Sequence, residues 1–319
     1  MRRKPPTLKK TSDPKLKSLR STFKSNSVLL GSVERHVVTK HLEETTRNPH
    51  VIHPSEICKT DTCRRAIYYR LSDAPAELDA PNVSFHLQRV FDEGHDIHDK
   101  WQGWLWDMGV LYGYWECLIC DEYWYARSPA VCAKCGAPRR KLRYREVPVR
   151  SDEHMLAGHA DGQVDAGLIE IKSVGLGTLR FEAKGFHDKF QSGEWTLQET
   201  WNAIKRPFPT HLRQAMLYAY CKGIDTVIFI YEWKPSQAVK EFVVKYDEEL
   251  VRPVLEVCKD IKWAVEKKRP VERPQWASPT HSECKACPYR STCYAGEIEE
   301  PTKKQQWRSK STGLPVRAG

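Results

Sequence analysis

The chain has 319 residues, enough for one large domain or two modest ones with a sizeable core. Apolar residues make up 40% and charged residues 29%, the balance of a soluble globular protein, and no run approaches 18 consecutive apolar residues, which excludes a transmembrane helix and a membrane partner. The net charge of +10 is concentrated at the ends, with +8 in residues 1–24 and +5 in residues 301–319, leaving −3 across the 276 between them, which weighs against a histone-like packing protein.

In chain order, residues 1–26 read as a basic flexible arm. Arg2, Arg3, Lys4, Lys9 and Lys10 are the densest of its cations, and the arm reads either as a solvated tail or as a grip for DNA phosphates. The arm lacks an apolar core segment, so no secretory signal is expected, and the protein is expected in the cytoplasm of a bacterial or phage-infected cell. Residues 27–111 read as a helical part that ends in a helix over 84–110, with Phe91, His98, Trp101, Leu105 and Met108 on one face.

A cysteine module follows at 112–139. Eleven cysteines without a secretion signal favour metal binding over disulfides. Two C-x2-C knuckles, Cys117/Cys120 and Cys132/Cys135, are the signature of a zinc ribbon with four thiolate ligands. Tyr112, Tyr114, Trp115, Tyr123, Trp124 and Tyr125 crowd around it, as ribbon core or as a stacking surface for unpaired bases.

Residues 140–300 hold the remaining regular structure. Strands are expected at 145–150, 155–165, 167–174, 226–233 and 239–246. Helices are expected at 210–221, with Thr210 as N-cap and Gly223 as the stop, and at 248–268. A basic tail occupies 301–319. Cys221 and Cys258 stand alone and read as small buried apolar residues.

The sharpest local signal is Leu168-Ile169-Glu170-Ile171-Lys172. Strand alternation puts Glu170 and Lys172 on one face and Ile169 and Ile171 on the other. Asp161, in Gly158-His159-Ala160-Asp161, falls on the strand before and can be brought beside Glu170. Two carboxylates that repel each other invite a divalent cation.

With Gly94-x-x-x-His98 upstream and Gln214-x-x-x-Tyr218 downstream, these residues resemble the PD-(D/E)XK nucleases, and among them the RecB-like exonucleases, across about residues 55–295. The resemblance implies an α/β, restriction-endonuclease-like core with a mixed central sheet flanked by helices. It also implies that His98, Asp161, Glu170 and the carbonyl of Ile171 bind Mg2+ or Mn2+. Lys172 would orient or deprotonate the attacking water, while Gln214 and Tyr218 reach the same phosphate or order the metal site. The G-x-x-x-H register selects His98 over His95.

Iron–sulfur members of that group, resembling the CRISPR-associated exonucleases and AddB-type nucleases, place one cysteine before the core and three after it. The resemblance therefore assigns a [4Fe–4S] cluster to Cys63, Cys284, Cys287 and Cys293, with zinc as the alternative metal and Cys58 as a competitor for Cys63. The implied activity is metal-dependent hydrolysis of single-stranded DNA or DNA ends in recombination, repair or replication, with partner proteins of those processes. A site- or structure-specific endonuclease and a catalytically idle DNA-binding scaffold are the other readings. No G-x-x-x-x-G-K-[ST] motif is present to supply a helicase engine.

Overall fold

A computed structural model describes residues 29–44, 47–76 and 84–297. The basic arm, with Arg2, Arg3, Lys4, Lys9 and Lys10, and the basic tail lie outside the described residues. The chain divides into two compact units, 1–46 with 82–90 and 47–81 with 91–319. The described part of the first consists of the helix Leu30–Glu44 and the opening turns of the long helix Phe85–Asp107. The second holds everything that follows.

Its strands in chain order are β1 (Tyr112–Cys117), β2 (Tyr123–Arg127), β3 (Leu142–Arg145), β4 (Val147–Ser151), β5 (Leu156–Ala160), β6 (Gly162–Val164), β7 (Gly167–Val174), β8 (Thr226–Trp233) and β9 (Ala238–Lys245). Among the described residues, seven of them form a mixed sheet in the order β2-β1-β6-β7-β8-β9, with β3 also paired to β1, while β4 and β5 make a separate hairpin. Among the described strands, only the β7–β8 pair runs parallel. Their crossover contains the helices Leu176–Glu182, Lys184–Gln191, Leu197–Ala203 and Pro209–Lys222. The fold is thus α/β, a mixed central sheet flanked by helices.

Alternation along β7 sorts the two faces as its sequence demands. Leu168 and Val174 join Phe229 and Tyr231 of β8 in the main core, where Ala215, Met216 and Leu217 of the 209–222 helix cover them. Ile169, Ile171 and Ile230 point the other way and pack against Ile97, Trp101 and Leu105 of the long helix. A buried carboxylate fixes this second layer: Glu232 of β8, 3% exposed, accepts from the Lys100 ammonium at 2.5 Å and from the Trp101 indole nitrogen at 2.7 Å.

The sheet corrects several expected boundaries. The strand expected over 155–165 breaks at Asp161, with β5 leaving for the hairpin and β6 joining the sheet. The 209–222 helix starts two residues earlier than the Thr210 cap implies: Pro209 takes the first helical position, where its fixed φ suits the turn, and Phe208 is the N-cap. Gly223 stops it in the left-handed conformation (φ +64°), as expected. On the long helix, Phe91 and Met108 are exposed, because the inward stripe runs through Ile97, Trp101 and Leu105, with His98 and Gln102 on its border. No described helix is long and apolar enough to cross a membrane.

Glu232→Ala should leave the Trp101 indole nitrogen and the Lys100 ammonium without their acceptor and lower stability by about 1–3 kcal/mol in urea unfolding. A change of less than about 0.5 kcal/mol, the range of an inert surface substitution, would mean that the carboxylate does not anchor the helix.

Candidate active and metal sites

Strand β6 is three residues long and β7 eight, so past Ile169 one edge of β7 has no strand beside it. The backbone N–H of Ile171 on that edge would be a buried orphan, and burying one is costly. Asp161 Oδ2 accepts from it at 2.5 Å. This substitution of a side chain for a strand places Asp161 at the break between β5 and β6.

The rest of Asp161 is held as firmly. Its carbonyl accepts from Gln102 Nε2 at 2.9 Å and from the Tyr144 hydroxyl at 3.2 Å. Its other carboxylate oxygen lies 3.2 Å from His98 Nδ1. His98 and Gln102 stand one turn apart on the long helix, so a single helix face grips both the side chain and the backbone of Asp161. Tyr144 reaches it by crossing β1 at Gly113, where an added Cβ would lie 2.4 Å from the ring.

Glu146, at the junction of β3 and β4, completes a trio. One ligand atom each from His98, Glu146 and Asp161 lie within 4.8 Å of one another. Glu170, expected from the sequence as a ligand, is buried (2% exposed) and bound to the Lys172 ammonium at 2.5 Å. Lys172 Nζ also lies 3.5 Å from Gln214 Oε1, and Gln214 Nε2 donates to the Tyr218 oxygen at 2.9 Å. Ile171 joins the cluster through its N–H. The structure thus gathers His98, Asp161, Glu170, Ile171, Lys172, Gln214 and Tyr218 at one place and leaves His95 exposed.

The sequence reading missed Glu146. The available signal was a carboxylate placed just ahead of the alternating apolar residues Val147 and Val149, both buried.

The electrostatics show a deficit of positive charge. Burial, then the nearby Asp161 carboxylate, push Glu146 up to about 7. Burial also pushes Glu170 up to about 7, with Lys172 restraining the rise and Asp161 adding to it. Burial pulls Lys172 down, but Glu170 and Asp161 outweigh it and hold the ammonium above the ordinary lysine value. His98 follows the same pattern, with burial opposed and overcome by Asp161. Three carboxylates facing one ammonium and one imidazole form a donor set that a divalent cation fits, since it would relieve their mutual repulsion.

The ribbon cysteines form a second site. Cys117 and Cys135 sulfurs are 3.7 Å apart, as are those of Cys120 and Cys132, and all four sulfurs lie within 4.8 Å of one another. A tetrahedral zinc with Zn–S near 2.3 Å requires sulfur–sulfur edges of about 3.8 Å, so the quartet fits one such ion.

Cys63, Cys284, Cys287 and Cys293 line a third, a cleft of about 1080 Å3 that also includes Tyr69, Arg273, Arg290 and Tyr294. Cys63 precedes the helix Arg64–Leu71, and the other three lie in or between the short helices Ser282–Lys285 and Arg290–Cys293. Among the described residues, the close tetrahedron seen in the ribbon is not repeated here. Cys58 is absent from the cleft wall; it is buried in the main core, where its carbonyl accepts from Arg213 at 2.6 and 3.1 Å and burial pushes its thiol up to about 12.

No protein-family model matches this chain, and no curated protein is similar at a significant level. Solved structures with weak similarity include SSO0001, at TM-score 0.38 and 12% identity over 84% of this chain and 98% of that one. An alkaline exonuclease from Laribacter hongkongensis, LHK-Exo, aligns at TM-score 0.38 and 12% identity over 73% of this chain and 93% of its own. The complex of LHK-Exo with dAMP aligns at TM-score 0.36 and 12% identity, covering 69% and 90%.

Proposed function

We propose that this chain is a metal-dependent deoxyribonuclease of the RecB-like PD-(D/E)XK type, hydrolysing phosphodiester bonds in single-stranded DNA or at DNA ends. The observation that carries the reading is the convergence of His98, Glu146 and Asp161 close to the buried Glu170–Lys172 pair. A satisfied core histidine would not need two carboxylates around it, and a structural ion pair would not need a third.

His98, Glu146 and Asp161 would hold Mg2+ or Mn2+, with Glu170 and the Ile171 carbonyl in reach as the resemblance implies. When bound, such a cation polarises a phosphoryl oxygen and acidifies a bound water toward neutral pH. The protein's own groups do the rest. Glu170 Oε1 and Gln214 Oε1 flank the Lys172 ammonium, and Lys172 stays protonated in that setting. It is therefore suited to orienting the attacking water and offsetting the charge that develops on the phosphoryl oxygens. Tyr218 fixes the Gln214 amide one helical turn away. His98 would have to be neutral to act as a ligand.

We read Cys63, Cys284, Cys287 and Cys293 as the ligands of a [4Fe–4S] cluster, and the ribbon quartet as a zinc site. A cluster binds each thiolate to its own iron, so it needs an open chamber with separated sulfurs and not one tight tetrahedron. The 1080 Å3 cleft supports this. The cluster would fasten the C-terminal helices to the helix that Cys63 precedes.

Two outcomes are expected. With Mg2+ or Mn2+ and end-labelled linear DNA, Asp161→Ala, Glu146→Ala and Lys172→Ala should each lower the cleavage rate at least about 10²–10³-fold while DNA binding persists. A wild-type chain that binds DNA but never cuts it would support the scaffold reading, and a Lys172→Ala chain that cuts at full speed would remove the assignment of this centre. Separately, the purified protein should be brown, absorb broadly near about 400 nm and contain about four irons and one zinc, with Cys287→Ala bleaching it. Two zincs and no iron would exclude the cluster.

A further inference from the structure

The face of the sheet that carries Glu170 and Lys172 does not end at β7. Gln163 of β6 stands opposite Leu168 of β7, and Tyr112 of β1 stands opposite Gln163. Directly opposed residues share a face, so Gln163, Tyr112 and Tyr114 all project to the side of Glu170. Tyr123 and Tyr125 of β2 extend this row; the register pairs Tyr125 with Tyr114 and Arg127 with Tyr112. On the other side of β1, Arg145 pairs with Tyr114 and Arg143 with Glu116.

The four rings make a continuous ladder. Tyr112 and Tyr125 stack at 6.3 Å, Tyr125 meets Tyr114 edge-on at 5.3 Å, and Tyr114 stacks on Tyr123 at 5.0 Å. They are not ribbon core: Trp115 takes that role on the opposite face, fully buried against Trp106 and Tyr144. Tyr123 and Tyr125 are 54% and 43% exposed. The Tyr125 hydroxyl donates to Gln163 Oε1 at 3.1 Å, which ties the ladder to the strand that begins beside Asp161.

The charge around the ladder is positive. Arg127, Arg143 and Arg145 border it against Glu116 and Asp165. Residues 112–145 as a whole carry seven Lys/Arg and three Asp/Glu, whereas the chain between the basic ends is net negative.

We propose that this tyrosine ladder is the docking surface for an unpaired DNA strand, whose bases stack on Tyr112, Tyr114, Tyr123 and Tyr125 and whose phosphates meet the bordering arginines. The assignment of the strand as DNA rests on the nuclease reading above. Aromatic rings accept the π-face of any base, and a duplex hides those faces in its own stack, so the ladder selects single strands without selecting sequence. Its near end adjoins β6, the strand that begins beside Asp161.

The test is fluorescence-anisotropy titration of the full chain with a labelled oligo(dT) of about 15 nucleotides, in the range of single-strand site sizes, in Ca2+ buffer without Mg2+ or Mn2+. The double variant Tyr123→Leu/Tyr125→Leu should lose affinity for oligo(dT) about tenfold or more, and Tyr123→Phe/Tyr125→Phe should stay within about twofold, because the phenyl ring still stacks. Affinity for a blunt duplex should not change, and unchanged zinc content should show that the ribbon is intact. Photocrosslinking of the wild-type chain to a bromodeoxyuridine oligomer should give adducts on Tyr114, Tyr123 or Tyr125.

Leucine variants that bind oligo(dT) like the wild type, that lose strand and duplex equally, or that lose only an RNA strand would overturn the proposal, as would crosslinks confined to other residues. Binding is read without cleavage, so the two readings fail separately. A chain that binds through the ladder but never cuts sinks the nuclease, and a chain that cuts normally without the ladder sinks the docking surface.

Discussion

The candidate site depends on one unpaired backbone group. Strand β7 outruns β6, and the Ile171 N–H left over is claimed by the Asp161 carboxylate. That bond places Asp161 at the end of β5, and everything else in the centre is built around its position: His98 and Gln102 reach it from one helix face, and Tyr144 reaches it from under β1. A carboxylate so fixed cannot move away from Glu146 and Glu170. The repulsion is built into the fold, and a cation is the natural relief.

The same sheet links the parts. One face of β7 packs apolar side chains under the long helix, which is how His98 arrives at a set distance from Asp161. The other face carries Glu170 and Lys172 toward Gln214, and it continues through Gln163 onto the tyrosines of the ribbon strands. The cysteine strands β1 to β3 belong to this sheet through the β1–β6 pairing. A metal bound by Cys117, Cys120, Cys132 and Cys135 would therefore stiffen the edge of the surface that the reaction centre shares.

Much of this was legible in the chain before folding. Alternation in Ile169-Glu170-Ile171-Lys172 assigned both faces of β7, and the C-x2-C spacing located four sulfurs that do meet. Gly223 marked a helix stop because a left-handed residue there suits glycine. What escaped was tertiary. The alternation of Val147 and Val149 after Glu146 marks a strand and not a ligand, and only the approach of β3 and β4 to Asp161 brings Glu146 into the cluster. The break at Asp161 was hidden because its apolar and polar residues read as one strand, although β5 and β6 pair in different sheets. The helix Leu197–Ala203 is not among the expected elements, although Thr196 and Glu199 form a capping box that marks its start in the sequence. The crowding of tyrosines left ribbon core and stacking surface both open, because it does not say which face a ring takes.

The central claim is that His98, Glu146 and Asp161 form one divalent-cation site. Anomalous diffraction at the manganese edge from crystals of the full chain soaked in Mn2+ tests it most directly. A manganese peak should appear bounded by the His98 imidazole and the Glu146 and Asp161 carboxylates. Manganese found only at surface carboxylates, with His98 still hydrogen-bonded to Asp161, would contradict it.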